Sequence, residues 1–275
     1  MERIGIIGYG NMGAAIAQAI KAKYRLLVFD KDKQKTANLN GIGVAATGAD
    51  LVRQSEVILL AVKPQDFEHA LREIKNCLKD QLIISIAAGI STKHIEKNLG
   101  NIRAIRVMPN LGAKIRESVT CLCAGVFATE EDLEFAQQLF YDLGVVHLIP
   151  EGLMNAATAI CGSGPAYVFD FIEGNSLGQD NIPQHAKEDM VKRLEQAAEA
   201  VGFSHEDALF LSFNTVNSSI SLLQKSKLPA GELKKQVASK GGTTEKALEV
   251  LAKGGSWEEA ALAALKRAEE LSKGG

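Results

Sequence analysis

Apolar and polar positions divide the first half of the chain into short apolar runs and segments with helical spacing. Several runs are rich in Val and Ile and are apolar on both faces, as strands buried in a parallel sheet are. This alternation predicts an α/β fold, a doubly wound parallel sheet with right-handed crossovers. The predicted strands are residues 4–8, 25–29, 57–62, 82–88, 102–107, 119–124 and 145–149, and the predicted helices include 12–23, 66–78 and 129–143.

The second half of the chain has a different pattern. Little strand signal follows Pro150, and long segments rich in Ala, Leu, Glu and Lys predict an all-helical region. We therefore expect two domains, at residues 1–150 and 151–275. Ser256 and Glu259 have the spacing of a capping box at the start of the last helix. The predicted helices are residues 155–173, 186–201, 207–224 and 256–273.

The predicted helix 155–173 is apolar nearly all round. Such a helix has no face that suits water, so it lies at the centre of a bundle or against another subunit. Because the second half of the chain is small, we expect a partner subunit to supply the cover.

Composition narrows the class of protein. The 275 residues are 46% hydrophobic and 23% charged, with a formal net charge of −2, which is typical of globular proteins. There is no basic field to attract nucleic acid or an anionic membrane, and no apolar run reaches the ~18–20 residues that span a bilayer. The start of the chain lacks a signal-peptide pattern, so we expect a cytoplasmic location. The four cysteines lack metal-ligand spacing, which predicts buried free thiols and no metal.

A glycine-rich turn is the strongest local signal. Gly-x-Gly-x-x-Gly at residues 8–13 follows the first strand directly and opens a helix. Gly8 allows a tight turn, Gly10 lets the backbone approach a diphosphate, and Gly13 lets helix and strand pack closely. The diphosphate of a dinucleotide would lie on free N–H groups at the helix N-terminus. Asp30 ends the next strand, 22 residues after Gly8, where an acidic partner for a ribose hydroxyl is expected.

The choice between the two nicotinamide cofactors stays open in the sequence. Asp30 would repel a 2′-phosphate, which favours NAD. Lys31 and Lys33 follow at once and could pair with a 2′-phosphate. Charge alone favours NAD, and use of both cofactors is the alternative.

Four further segments make the interpretation more specific. They are Ala-Val-Lys-Pro at 61–64, Arg-Val-Met-Pro-Asn at 106–110, Cys-Gly-Ser-Gly-Pro-Ala-Tyr at 161–167 and Ser-Lys-Gly-Gly-Thr-Thr at 239–244. In this order, and over nearly the whole chain, they resemble the pyrroline-5-carboxylate reductase family. The first two segments also suit related dehydrogenases, whereas the last two are far more specific.

The resemblance implies an NAD(P)H-dependent oxidoreductase with an N-terminal Rossmann domain and an all-helical C-terminal dimerisation domain. Its substrate would be 1-pyrroline-5-carboxylate, a cyclic imino acid that is reduced to L-proline in the last step of proline biosynthesis. The family also implies a homodimer, sometimes assembled into a ring of dimers.

The glycine-threonine segment is the predicted substrate clamp. Gly241 and Gly242 allow close backbone approach, and the helix that follows offers N–H groups to a carboxylate. The resemblance places Thr243 and Thr244 at the substrate carboxylate and ring nitrogen, with Thr244 as the catalytic candidate. It also places Glu151 near the substrate amine.

Strand ends at 61–64, 87–89 and 108–110 lie where ligands bind in a doubly wound sheet, so we expect them to line the nicotinamide and its ribose. The resemblance adds one residue of the helical half, Gln236. The predicted cofactor contacts are Gly8, Tyr9, Gly10, Asn11, Met12, Gly13, Asp30, Lys31, Ala61, Val62, Lys63, Pro64, Ala87, Gly89, Met108, Pro109, Asn110 and Gln236.

The chain departs from the family pattern in four places. Leu111-Gly112 follows Asn110 where Thr-Pro is usual, Lys240 replaces a proline, and Gly48 replaces an asparagine. Residues 174–194 are an insertion with strong helix breakers, which predicts a surface loop and an extra helical segment at 186–194. The insertion either reshapes the subunit interface or the site entrance, or is neutral.

Two other functions are compatible with the dinucleotide turn. A related imine or β-hydroxyacid dehydrogenase would usually carry a catalytic lysine on the central helix, and residues 155–173 contain none. A non-catalytic dinucleotide-binding regulator would need no substrate clamp.

Overall fold

The computed structural model describes residues 2–273. Within them, eight strands form one sheet in the order β3-β2-β1-β4-β5-β6-β7-β8. Every neighbouring pair is parallel except β6 and β7. The strands are β1 (Arg3–Ile7), β2 (Arg25–Phe29), β3 (Gly43–Val44), β4 (Val57–Leu60), β5 (Leu82–Ser85), β6 (Ala104–Met108), β7 (Ser118–Ala124) and β8 (Gly144–Leu148).

This sheet confirms the predicted doubly wound fold, with two differences. The pair β6–β7 is antiparallel because the connection from Met108 to Ser118 is shorter than the dozen or so residues that a parallel crossover takes. Strand β3 was not predicted, because two residues are too few to show a period of two.

Twelve helices occupy the described part of the chain. Helices α1 and α5 cover one face of the sheet, while α2, α3 and α4 cover the other. None of the helices in residues 2–273 has the length and apolar character that crossing a bilayer requires. The helices are α1 (Asn11–Ile20), α2 (Gly48–Arg53), α3 (Pro64–Ile74), α4 (Thr92–Leu99), α5 (Glu130–Tyr141), α6 (Met154–Ala157), α7 (Gly164–Gly174), α8 (Gln184–Ala200), α9 (His205–Ser226), α10 (Ala230–Val237), α11 (Thr243–Leu251) and α12 (Trp257–Lys273).

The helical half starts after the last strand, and its core also includes side chains of β6 and β7 such as Met108 and Cys121. The predicted helix 155–173 is divided, because a π-helical turn at Thr158–Gly162 separates α6 from α7. Tyr167 spans this break by donating a hydrogen bond to the carbonyl of Ala159, at 3.0 Å. The predicted capping box is confirmed, since Ser256 and Glu259 each accept from the other's backbone N–H at the start of α12.

Helix α7 is buried nearly all round, as its sequence predicted, but the cover comes from the same chain. Tyr167, Val168 and Phe169 have no exposed surface, and α7 packs against α8, α9 and α10. The apolar character of α7 therefore gives no independent reason to expect a partner subunit.

The inserted segment contributes to this core. Residues 175–183 form the predicted surface loop, and the extra helical segment is the first part of α8. Met190 and Leu194 of α8 are fully buried, and α8 packs against α9 and α12. Because these side chains fill core volume, truncating either to alanine would leave a cavity.

The cysteines are free, and three of the four are buried. Cys121 and Cys123 lie on one face of β7, as their alternation predicted, and Cys77 is half-buried. A hydrogen bond to Cys161 and burial raise the pKa of Cys121 well above its usual value. Burial and the nearby Glu151 carboxylate raise the pKa of Cys123.

We expect iodoacetamide to label Cys77 first in the native protein. The thiols of Cys121 and Cys123 lack both access and thiolate character, so they should react only after unfolding. Mass spectrometry of peptides from native and urea-unfolded samples measures this difference. Native labelling of Cys121 or Cys123 at the rate of Cys77 would contradict the described packing.

Candidate functional site

The candidate site begins where β1 and β4 end side by side. From these two strands the chain leaves to opposite faces of the sheet, which leaves a crevice at their carboxyl ends. Gly8 turns here with a φ of +100°, and a Cβ at this position would lie 2.5 Å from the carbonyl oxygen of Ala61. A Cβ on Gly13 would overlap the carbonyl of Gly8, so α1 packs directly onto the turn.

The N-terminus of α1 opens into the crevice. Gly10 is the N-cap residue of α1 and has no side-chain cap. A Cβ on Gly10 would meet no atom within 4 Å, so there is free space beside the first N–H groups of the helix. Uncapped N–H groups at an open helix end fit a diphosphate, which agrees with the predicted role of this turn.

A cavity of 470 Å³ continues from this turn along the ends of β2 and β4. Its lining is mixed in polarity, as that of a site for the adenosine half of a dinucleotide would be. The predicted residues that line it are Gly8, Gly10, Asp30, Lys31, Ala61, Val62 and Lys63. Seven further residues, which the sequence did not assign to the site, also line the cavity: Ile7, Phe29, Lys35, Asp66, His69, Ala70 and Glu73.

Asp30 is the buried acid of this cavity, with 8% of its surface exposed. Its carboxylate accepts hydrogen bonds from the backbone N–H groups of Tyr9, at 2.7 Å, and Asp32, at 2.8 Å. Nζ of Lys35 also lies 3.4 and 3.5 Å from the two carboxylate oxygens. A carboxylate has about four acceptor positions, so a ribose hydroxyl would share the remaining ones with this longer contact. Asp30 thus ties the glycine turn to the end of β2 and still faces the cavity.

The lysines near Asp30 are arranged differently from the sequence prediction. Lys31 lines the cavity and forms an ion pair with Asp66, at 2.6 Å. Lys33 lies in a 3₁₀ turn and does not line the cavity, whereas Lys35 does and approaches Asp30 to 3.4 Å. The sequence pattern did not reveal this 3₁₀ turn, which places Lys35 instead of Lys33 beside the cavity.

A second groove, of 750 Å³, lies on the other side of the glycine turn, between α1 and the 3₁₀ turn Leu111–Ile115. Tyr9, Gly10 and Asn11 line it together with Lys114. Lys114 donates a hydrogen bond to Gln236 on α10, at 2.7 Å, and burial lowers the pKa of Lys114. This contact brings Gln236 from the helical half to the edge of the groove.

Residues at and after the end of β6 lie between the sheet and the helical half. Asn110 holds the loop after β6, because its side-chain oxygen accepts from the N–H groups of Gly112 and Val119. Met108 lies under the π-helical turn, and a Cβ on Gly162 would be 3.3 Å from its sulfur. Nine predicted cofactor contacts line neither the cavity nor the groove. Two of them are Asn110 and Gln236, and the other seven lie at strand ends or helix starts: Met12, Gly13, Pro64, Ala87, Gly89, Met108 and Pro109.

The predicted clamp lies at the start of α11. Gly241 has a φ of +72°, and its N–H donates to Glu245 at 2.8 Å. Helix α11 has no side-chain cap, so its first N–H groups are available to a carboxylate. Thr243 and Thr244 are nearly buried, with 7% and 5% of their surfaces exposed.

Ser163 is the polar residue of this region that sequence reasoning missed. Its hydroxyl lies 3.1 Å from that of Thr243, and it accepts a hydrogen bond of 3.0 Å from Thr244. The Gly-Ser-Gly-Pro segment around Ser163 was a signal of family resemblance, but nothing in the pattern paired it with a segment some eighty positions away. The fold thus joins the two most specific motifs of the chain.

Glu151 lies at the junction between the sheet and the helical half. It accepts from the guanidinium of Arg106 at 2.6 Å and from the hydroxyl and N–H of Thr92 at the start of α4. Arg106 is 2% exposed, and it also donates to Asn155 at 2.8 Å. The carboxylate of Glu151 therefore has hydrogen-bond donors from both β6 and α4.

Comparisons with known proteins give a match in each half of the chain. Residues 3–89 match the family described as NADP oxidoreductase coenzyme F420-dependent, and residues 189–273 match pyrroline-5-carboxylate reductase dimerisation. Pyrroline-5-carboxylate reductase from Aquifex aeolicus is 34% identical, over 90% of this chain and 88% of that protein. The enzyme of the same name from Methanosarcina acetivorans is 34% identical, over 99% and 98%.

This chain belongs to the pyrroline-5-carboxylate reductase family. A solved structure agrees: Plasmodium falciparum pyrroline carboxylate reductase with NADP bound covers 98% of both chains at 26% identity, with a TM-score of 0.65. The Rossmann sheet and the helical C-terminal half are the architecture expected from the resemblance.

One departure from the reductase pattern has a steric reason. A Cβ on Gly112 would overlap the hydroxyl of Ser218 on α9, so the loop after β6 packs tightly on the helical half. At a second departure, Gly48 donates its N–H to Glu73 at 2.7 Å, and Glu73 lines the cavity.

We expect Arg106→Met to lower the free energy of unfolding by about 2–3 kcal/mol. This is less than for a fully buried pair, because one-third of the Glu151 side chain is exposed. The double variant Arg106→Met/Glu151→Gln should lose less than the sum of the single changes, because it leaves no unpaired charge at the junction. Urea unfolding measures all four proteins, and additive losses would contradict the ion pair.

Proposed function

We propose that this chain reduces 1-pyrroline-5-carboxylate to L-proline with NAD(P)H. The observation that carries the proposal is a pair of uncapped helix starts, one on α1 beside the crevice and one on α11 beside Ser163. The first suits a diphosphate and the second a small carboxylate. The names of the relatives of this family support the same substrate.

The cofactor fits the residues that are present. The turn at Gly8, the open N-terminus of α1 and the Asp30 carboxylate would hold its diphosphate and ribose. When bound, the reduced nicotinamide supplies the hydride that adds to the carbon of the C=N bond, whose electron pair moves onto the nitrogen. The nitrogen of the protonated imine already carries its proton, so the protein has mainly to hold the two reactants together.

Thr244 is the residue that we assign to the ring nitrogen. Its hydroxyl donates to Ser163, which leaves its lone pairs to accept the N–H of a protonated imine. Thr243 and the first N–H groups of α11 would bind the carboxylate, with Gly241 and Gly242 admitting it. Burial of Ser163 and Thr244 keeps water from competing for these hydrogen bonds. We place Glu151 near the amine of the substrate, and its hydrogen bonds from Arg106 and Thr92 would hold it there.

We propose NADH as the preferred cofactor. The carboxylate of Asp30 faces the ribose end of the cavity, and Lys31 is already paired with Asp66. A 2′-phosphate would meet the negative charge of Asp30 with Lys35 as a nearby cation, and Lys35 is itself drawn to Asp30. The Plasmodium falciparum structure holds NADP, so the two members of the family would differ in this choice.

We infer that the protein self-associates through its helical half, as a homodimer or a ring of dimers. The match of residues 189–273 to a dimerisation family supports this inference. Light scattering of the purified protein measures its mass. The division into domains at residue 150 and the cytoplasmic location are likewise our proposals from the sequence pattern.

One assay separates this function from its rivals. Absorbance of NADH or NADPH should fall when 1-pyrroline-5-carboxylate is added. A β-hydroxyacid dehydrogenase would instead reduce NAD in the presence of a hydroxyacid, and a regulator would bind cofactor without turnover.

We expect Thr244→Ala to lower kcat by roughly tenfold or more, the worth of a hydrogen bond to a charged group. The KM for NADH should change little, because Thr244 lies away from the dinucleotide cavity. Thr244→Ser keeps the hydroxyl and serves as the matched control. Full activity of Thr244→Ala would sink the assignment.

Asp30→Asn should raise the NADPH-to-NADH ratio of kcat/KM by about tenfold or more, because a like charge beside a phosphate is removed. The amide keeps an acceptor for Tyr9. Initial rates with each cofactor give the ratio, and the KM for the imine should stay constant. An unchanged ratio would mean that Asp30 does not face the ribose.

A further inference from the structure

The clamp is held from outside by one residue of the last helix. Arg267 on α12 donates from Nε to the carbonyl of Gly241, at 2.9 Å. The N–H of the same glycine donates to Glu245. Both peptide groups that flank Gly241 are therefore fixed by side chains, at a residue whose φ of +72° favours glycine.

The guanidinium acts here through geometry more than through charge. Its Nη1 donates to Glu270 at 2.9 Å. This ion pair offsets part of the positive charge of Arg267. The main contribution of Arg267 is therefore a planar donor that fixes the direction of the Gly241 carbonyl.

The same helix also touches the cofactor half of the site. A Cβ on Gly89, in the loop after β5, would lie 2.9 Å from the Cβ of Leu271 and 3.0 Å from the carbonyl oxygen of Ala268. The backbone of α12 therefore packs directly on this loop, one turn beyond Arg267. Asn155, which accepts a hydrogen bond from Arg106, donates one to Ser272, the residue that follows Leu271 on α12.

We propose that Arg267 is a positioning residue for substrate selection. By holding the Gly241 carbonyl from α12, it sets the carboxylate site at a fixed distance from the loop after β5. This role rests on the proposed reduction of 1-pyrroline-5-carboxylate. It makes the enzyme prefer cyclic imines that carry a carboxylate over those that do not.

The test compares two substrates, 1-pyrroline-5-carboxylate and 1-pyrroline, which lacks the carboxylate. Arg267→Met should raise the KM for the first by about tenfold or more, as a lost hydrogen bond from a charged donor does. The kcat/KM for 1-pyrroline and the KM for NADH should stay within about twofold of the wild type. Arg267→Lys should recover part of the loss, because an ammonium group can donate one hydrogen bond.

Two further variants guard against a general loss of structure. Lys266→Met changes the exposed neighbour on α12 and should leave both substrates unaffected. Glu245→Ala removes the other support of Gly241 and should give the same selective loss as Arg267→Met. If Arg267→Met reduced activity equally on both substrates, or on neither, the positioning role would be overturned. A wild type that reduced neither imine with either cofactor would instead overturn the proposed function.

Discussion

The candidate site depends on one feature of the sheet: after β1 and after β4 the chain continues on opposite faces. Because the two strands lie side by side and lead to opposite faces, no helix can cover their carboxyl ends, and a crevice remains. The contact between Gly8 and the Ala61 carbonyl keeps the crevice narrow at its base, and α1 points its uncapped end into it. The cavity along β2 and β4 and the groove beside α1 both begin at this glycine turn.

The helical half brings a second uncapped helix start to the same side of the protein. Its core is made within one chain, and α8, which includes much of the insertion, supplies Met190 and Leu194 to it. Leu194 also lies against Gly164, the first residue of α7, in the motif that carries Ser163. Helix α8 therefore packs against the residue that follows Ser163 in the chain.

Polar residues of the candidate site already have partners within the protein. Asp30 accepts two backbone N–H groups, and Glu151 joins Arg106 to the start of α4. Groups held in this way lose little conformational freedom when a ligand arrives, so binding energy is not spent on ordering them. Preorganisation of this kind suits a reaction in which the protein mainly orients two reactants.

Sequence alone determined the alternation of strands and helices, the glycine turn, the buried character of α7 and the family resemblance. These features are local, because hydrophobic period and glycine placement follow from neighbouring residues. It did not reveal β3, the antiparallel direction of β7, or the choice of Lys35 over Lys33, since these depend on strand pairing and on one 3₁₀ turn.

Only the tertiary structure decided which distant side chains meet. Ser163 with Thr244, Arg106 with Glu151, and Arg267 with Gly241 are each separated by many residues, and no periodic pattern links them. The first and third pairs form because helices of the second half pack on one another, and Arg106 meets Glu151 where the sheet joins the helical half. The sequence thus determined which kinds of groups the site contains, and tertiary packing determined their partners and directions.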